Sequence, residues 1–278
     1  MRILYTIGLY GLFLTTLLLP TVSQATHVRA GEITTRRLSP TSLTYEITLT
    51  AYFDEIRGRA AADDANRYIF CFGDGSQAEV QRSSRRFING RTSSINTYTI
   101  THTFPGPGVY TIGIQIPNRN ADTKNLPPAS SSDNIIFYVS TTIVINPALQ
   151  INSTPVMLNP PLDSARVGQR FCHNPAAFDA DGDSLAYRLS VPKEGLLNNV
   201  CRGQPINNYL DPARSFSRNS ESGGPASFSI NASTGELCWD APGEEGQYNF
   251  AFIVEEWRNG VLIGEITRDM QIIVLDQP

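Results

Sequence analysis

The sequence predicts an all-β protein, two tandem antiparallel β-sandwiches behind an N-terminal signal peptide. Apolar residues recur at every second position, as in Leu43-Thr44-Tyr45-Glu46-Ile47-Thr48-Leu49-Thr50, Val109-Tyr110-Thr111-Ile112-Gly113-Ile114-Gln115-Ile116 and Tyr248-Asn249-Phe250-Ala251-Phe252-Ile253-Val254, which is the period of a strand with one wet face. Turn-forming clusters such as Gly73-Asp74-Gly75-Ser76, Pro105-Gly106-Pro107-Gly108 and Asp181-Gly182-Asp183-Ser184 punctuate these runs. Beyond the N-terminal segment, no window longer than a couple of turns carries a 3.6-residue period. Antiparallel sandwiches are therefore expected rather than a parallel sheet with helical crossovers.

Residues 1 to 25 carry one positive charge at Arg2, an apolar run from Ile3 to Leu19, a break at Pro20 and small residues at Ser23 and Ala25. That is the pattern of a signal peptide cleaved after Ala25. Its continuously apolar part, Leu12 to Leu19, is interrupted by threonines and falls short of the roughly 20 apolar residues of a spanning helix. No cysteine stands at the cleavage point for lipid attachment, and no later segment is apolar enough to span, so no transmembrane anchor is expected after cleavage. The product is exported, to the extracellular space, the cell surface or a periplasm. A Pro-rich polar segment from Asn146 to Pro161 then separates two sets of strands. The expected organisation is a signal peptide over 1–25, one sandwich over 26–148 and a second over 149–278.

Of 278 residues, 17% are charged and 41% hydrophobic, the balance of ordinary globular material. The formal charge of -4 leaves no basic surplus to neutralise phosphates, which argues against nucleic acid as a partner. Lys124 and Lys193 are the only lysines, so lysine chemistry is nearly excluded. The four cysteines, Cys71, Cys172, Cys201 and Cys238, face an oxidising compartment, where pairing is the default. No two are spaced as a CxxC pair, which argues against a zinc or thioredoxin-like site.

In the first half, Tyr68-Ile69-Phe70-Cys71-Phe72-Gly73-Asp74-Gly75-Ser76 is followed by Thr99-Ile100-Thr101-His102-Thr103-Phe104-Pro105-Gly106-Pro107-Gly108-Val109-Tyr110-Thr111-Ile112. These segments resemble the PKD (polycystic kidney disease) domain, with its WDFGDG strand end, HTY segment and PGTYTV strand. Phe70 stands for the usual tryptophan and Cys71 for the usual aspartate. Alternation puts Phe70 and Phe72 inward and Cys71 outward.

In the second half, Ala177-Phe178-Asp179-Ala180-Asp181-Gly182-Asp183-Ser184-Leu185-Ala186-Tyr187, Thr234-Gly235-Glu236-Leu237 and Gly246-Gln247-Tyr248-Asn249-Phe250 resemble the immunoglobulin-like, cadherin-like domains of bacterial surface proteins. That resemblance implies that the strands bearing Cys172 and Cys238 are neighbours and that these two cysteines form a disulfide. Over nearly the full mature length the chain resembles N-terminal regions of exported Bacteroidota proteins associated with gliding motility and type IX secretion. The stretches that carry this are His27-Val28-Arg29-Ala30-Gly31-Glu32-Ile33-Thr34, Tyr45 to Thr50, Asn174-Pro175-Ala176 and Arg268-Asp269-Met270-Gln271-Ile272. Such proteins usually continue into more domains and a C-terminal sorting domain, and none is expected from these residues, which puts surface attachment by that route in doubt.

Asp179, Asp181 and Asp183 place three carboxylates within five residues, and a hard divalent cation such as calcium is the natural compensation. The pattern is not an EF-hand, because the twelfth position from Asp179 is Ser190. The cadherin-like resemblance implies a junction site to which Asn146 and Asn152 add oxygens. The competing reading is a hydrated Asp-Gly turn whose carboxylates accept backbone N–H bonds. Asp163-Ser164-Ala165 and Asp183-Ser184-Leu185 resemble the Asp-Ser/Thr-apolar acceptor of Bacteroidota O-glycosylation, against a reading of Ser164 and Ser184 as unmodified loop serines.

His27, His102 and His173 are the available imidazole bases, and no nucleophile in a recognisable turn accompanies them. His102 occupies the PKD histidine position and is expected to make a structural hydrogen bond. Glu244-Glu245 and Glu255-Glu256 are sequence neighbours rather than carboxylates opposed across a cleft, and are expected to be solvated or structural. Trp257 precedes an Asn259-Gly260 hairpin turn and has sugar stacking as its functional alternative. No catalytic residue emerges. The sequence reads as a non-enzymatic adhesion or spacing module with a protein or glycan ligand. The alternatives are a carbohydrate-binding accessory to a separate hydrolase and a structural subunit of a gliding or secretion machine. Intact-mass analysis of the exported protein should place its N-terminus at Thr26, and retention of Met1 to Ala25 would overturn the cleavage reading.

Overall fold

A computed structural model of the chain describes residues 28–149, 152–220 and 223–276; the expected signal peptide, its cleavage site and His27 lie outside the described residues. The first half runs β1 (Val28–Arg37), β2 (Thr44–Asp54), α1 (Arg59–Asp64), β3 (Arg67–Cys71), β4 (Gln77–Ile88), β5 (Ser93–Thr103), β6 (Gly108–Ile116) and β7 (Phe137–Ile145). The second begins with β8 (Val156–Met157), β9 (Leu162–Arg166), β10 (Phe171–His173), β11 (Ala177–Phe178), β12 (Ser184–Ser190), β13 (Lys193–Leu196) and β14 (Asn199–Pro205). It ends with α2 (Pro212–Phe216), β15 (Phe228–Ile230), β16 (Leu237–Trp239), β17 (Gly246–Arg258) and β18 (Val261–Leu275). The protein is all-β with large, mostly antiparallel sheets, and among the described residues its α-helices are single short turns. At α2 the Asp211 carboxylate accepts from Arg214 N at 3.1 Å and Pro212 opens the turn, a local stop signal that does not propagate.

Alternation sorts the side chains into two cores. In the first, Tyr45, Ile47, Leu49, Ala51 and Phe53 of β2 meet Ile112, Ile114 and Ile116 of β6 and Phe137 and Val139 of β7, around Phe70 and Phe72. In the second, Tyr248, Phe250, Phe252 and Val254 of β17 and Met270, Ile272 and Val274 of β18 pack against Leu237 and Trp239 of β16. Trp239 is fully buried, and its indole donates to Ser217 Oγ at 2.8 Å, which satisfies the one polar atom it carries inward.

A feature that periodicity does not disclose is that strands of both halves belong to one thirteen-stranded sheet. One edge of β18 pairs with β17 along its whole length, from Arg258↔Val261 to Gly246↔Val274. The other edge is shared out in sequence: Gly264 to Ile266 pair with β7, Asp269 with Gly31 of β1, and Gln271 to Leu275 run parallel to β9. Because β7 and β1 are the two ends of the series β1-β2-β5-β4-β3-β6-β7, β18 closes that series into a ring.

Buried polar groups fix the junction. Asp269 is 1% exposed and receives both Arg119 Nη atoms, at 3.1 and 2.6 Å, and Asn249 Nδ2 at 3.0 Å. Arg119, itself fully buried, comes from the β6–β7 connection and also donates to Lys193 O at 2.9 Å. Further along that connection, the Asn125 side chain makes a reciprocal pair with the Asn249 backbone, at 2.7 and 2.9 Å. A second buried pair joins Arg268 to Glu32.

The β13–β14 hairpin crosses from the second half to pair with β7, and Cys201 on β14 is bonded to Cys71 on β3. Cys71 points off the core as alternation requires, yet it is 3% exposed because the hairpin covers it. Gln115 of β6 donates to the carbonyls of Leu196, Asn199 and Arg202 and so holds the hairpin turn. Tyr138 lies against Gly203, where a Cβ would come within 2.2 Å of its ring. Cys172 and Cys238, register partners on β10 and β16, form the second disulfide.

Removing one partner of a buried ion pair leaves the other charge uncompensated, whereas replacing both does not. Asp269→Ala should lower unfolding stability in urea by about 3–5 kcal/mol, and Arg119→Met/Asp269→Leu by much less. Equal losses in the two variants would show that the pair does not hold the junction.

Candidate functional site

The Asp-rich turn between β11 and β12 sits where the second half meets the segment leading to β8. Asp179 Oδ1 accepts from the amides of Asp181 and Asp183, both at 2.9 Å, which folds the turn around its own first residue. Gly182 adopts φ +84°, the left-handed conformation that makes this reversal affordable in so few residues. Asp181 reaches outward and accepts from Ser153 N at 2.7 Å. Asp183 is gripped by Arg258 from the end of β17, Nε to Oδ1 at 2.7 Å and Nη2 to Oδ2 at 2.5 Å. The same guanidinium donates to Asn152 Oδ1 at 2.8 Å and to the Leu149 carbonyl.

The structure brings a further carboxylate to this turn. Ligand oxygens of Asp179, Asp183 and Glu256 lie within 4.8 Å of one another, and Asp181 is not among them. Glu256 is 0% exposed, which decides between the solvated and the structural alternative in favour of the structural one. Asn152 Nδ2 donates to its Oε2 at 2.9 Å, while Oε1 has no hydrogen-bond partner, and neither has Asp179 Oδ2. Burial pushes the Glu256 carboxyl up to about 9; the Asn152 bond opposes this and the Asp179 and Asp183 carboxylates add to it. Gly264 lies opposite Glu256 across the β17–β18 ladder, and a Cβ there would stand 2.5 Å from Glu256 Oε2. A sequence signal for Glu256 did exist. Tyr248, Phe250, Phe252 and Val254 face inward, and Glu256 continues that parity, whereas Glu255 takes the opposite face and pairs with Arg188 at 2.7 Å.

Of the other residues singled out by the sequence, Asn146 accepts from Ala148 N at 3.0 Å and caps a 3-10 turn. Ser164 on β9 and Ser184 at the start of β12 are both exposed. His102 Nε2 lies 2.8 Å from Asp74 Oδ2, with its ring stacked 3.8 Å from Phe72, and His173 Nδ1 lies 3.1 Å from Asp163 Oδ2. His173 is buried and Cys172 exposed, so the two side chains diverge. Cys172, Cys238 and Glu236 cluster, but the disulfide removes both thiolates as ligands. Trp257 is half-buried, with its indole N–H on Glu255 at 3.2 Å. Glu244 forms a surface pair with Lys124 at 3.4 Å. Beneath the β13–β14 turn a groove of about 540 Å³ runs past Tyr68, Gln115 and Val200, with Leu197 standing 93% exposed at its rim.

No protein-family model matches the chain, and no curated protein does. Among solved structures it is similar to tandem Ig repeats of Dlar, at 10% identity over 90% of this chain and 100% of that one, with a TM-score of 0.26. Titin Ig tandem domains A164-A165 match at 10% identity over 90% and 99% of the two chains, with a TM-score of 0.21. The human desmocollin-1 ectodomain matches at 12% identity over 84% of this chain and 47% of that one, with a TM-score of 0.25. At such scores the β architecture rests on the strand pairings themselves.

The Asp74 carboxyl is held below its ordinary value of 3.8: burial raises it, but the bonds from Ser76 and His102 outweigh that. A depressed folded-state value contributes stability that is complete above the unfolded value and is lost as the pH falls through the folded one. Urea unfolding of the wild type and of Asp74→Asn should therefore differ by about 2 kcal/mol at neutral pH and converge below about pH 3. A gap that stays constant with pH would remove the ionised Asp74 from the account.

Proposed function

We propose that the chain is a non-enzymatic module of the cell envelope or extracellular space, acting as a spacer and adhesive element through protein or glycan contacts. The single observation that supports this best is the way the halves are joined. A shared strand, a buried Arg119–Asp269 pair and the Cys71–Cys201 bond tie them into one hydrogen-bonded body, as a spacer requires. Two disulfides fit an oxidising compartment. His102 and His173 are engaged with carboxylates, an arrangement that orders turns and strands. Among the described residues no helix is long and apolar enough to cross a membrane. The resemblance to gliding- and secretion-associated regions supports a place in the envelope, alongside such machinery.

Two measurements test this reading. Backbone ¹⁵N relaxation on the mature chain should give one rotational correlation time for both halves; two separate times would sink the spacer role. Immobilised mature protein should retain material from a protein or a polysaccharide fraction of the envelope. Retention of polysaccharide alone would favour the carbohydrate-binding accessory, and retention of neither would remove adhesion.

A further inference from the structure

We propose that Asp179, Asp183 and Glu256, with Asn152 as their organiser, form a binding site for one hard divalent cation of the calcium class. The inference goes beyond the spacer reading and does not depend on it. Its core is two carboxylate oxygens that no other residue satisfies: Glu256 Oε1 and Asp179 Oδ2 are both buried, receive no N–H or O–H from any neighbouring group, have only each other to bond to, and belong to one cluster whose ligand oxygens lie within 4.8 Å. Buried polar atoms are nearly always satisfied, so two such oxygens in one cluster call for a positive occupant.

The neighbours prepare this arrangement rather than fill it. Two backbone amides occupy Asp179 Oδ1 and thereby turn Oδ2 to the cluster. Asn152 Nδ2 occupies Glu256 Oε2 and leaves Oε1 free, while the absent side chain of Gly264 leaves room for the carboxyl group. Arg258 neutralises Asp183, so a divalent cation that displaces the Glu256 proton meets the two carboxylates that remain, Asp179 and Glu256. The donors are oxygens without histidine or thiolate, which selects a hard ion over zinc. Oxygens bound on opposite sides of a calcium ion stand about 4.6–5.2 Å apart, so a cluster this compact fits its shell, with water completing the ligands. An ion here would tie the β11–β12 turn to β17 and, through Asn152 and the Asp181–Ser153 bond, to the segment entering the second half.

The test uses the mature chain with calcium chloride or chelator. The wild type should show one calcium-binding event by calorimetry, and its Tm should rise by about 3 °C or more in millimolar calcium. Glu256→Gln should lose the Tm rise and bind calcium at least about tenfold more weakly. Asp181→Asn, outside the cluster, should keep both. No heat and no Tm rise in the wild type, with Glu256→Gln as stable in chelator as the wild type, would mean a shared proton only and would overturn the proposal. An equal rise in the wild type and Glu256→Gln would place the ion elsewhere and would overturn it too. Should Glu256→Gln fail to fold, Asp179→Asn carries the same comparison. None of these outcomes alters the correlation time, so the cation site and the spacer reading fail separately.

Discussion

The architecture depends on how the second edge of β18 is satisfied. A strand between two neighbours must pair the N–H and C=O groups on both sides, and an unpaired edge in a buried position costs free energy at every residue. Here β17 takes one side, while β7, β1 and β9 take successive lengths of the other. The two cores consequently share a backbone element. The closing of the first ring and the packing of the second sandwich are one event in space, because both use the same fifteen residues.

The polar groups at this junction are expensive to bury, and they stand in place of the apolar contacts that would otherwise fill the space. Arg119–Asp269 and Arg268–Glu32 each place a guanidinium and a carboxylate away from water. Such pairs add little net stability over well-packed apolar residues, but they penalise misalignment heavily. Asp269 and Arg268 are adjacent on β18 and point to opposite faces, so the pairs read the strand's register from both sides. A slip of one residue would set one of them against a like charge, Arg268 against Arg119 or Asp269 against Glu32.

The period-two pattern made the strands and the inward faces legible, and the glycine-aspartate clusters marked the turns, because those signals are local. The resemblance also brought Cys172 and Cys238 to adjacent strands, where they are bonded. What escaped was non-local. Cys71 and Cys201 are 130 residues apart, and nothing around Lys193 to Pro205 distinguishes a hairpin that pairs with β7 from one lying over its own half. At the Asp-rich turn the spacing marked Asp179, Asp181 and Asp183 alike, and it could not tell that Asp181 lies outside the cluster. Glu256 was legible only to a reader who carried the inward parity of β17 through a run that ends in two glutamates. Arg258 and Gly264 acquire meaning only once the β17–β18 ladder is in register.

Ring closure by β18 also orders events in time. When the chain emerges from a ribosome or a translocation pore, β1 and β7 are complete more than a hundred residues before the strand that joins them arrives. Until then the β1 edge and the part of β7 that β13 does not cover, Thr141 to Ile143, stay naked, each a template for any extended segment nearby. Vectorial appearance thus leaves the earliest-made part dependent on the latest-made one. A cell making this protein must keep those edges apart from one another's copies throughout that interval.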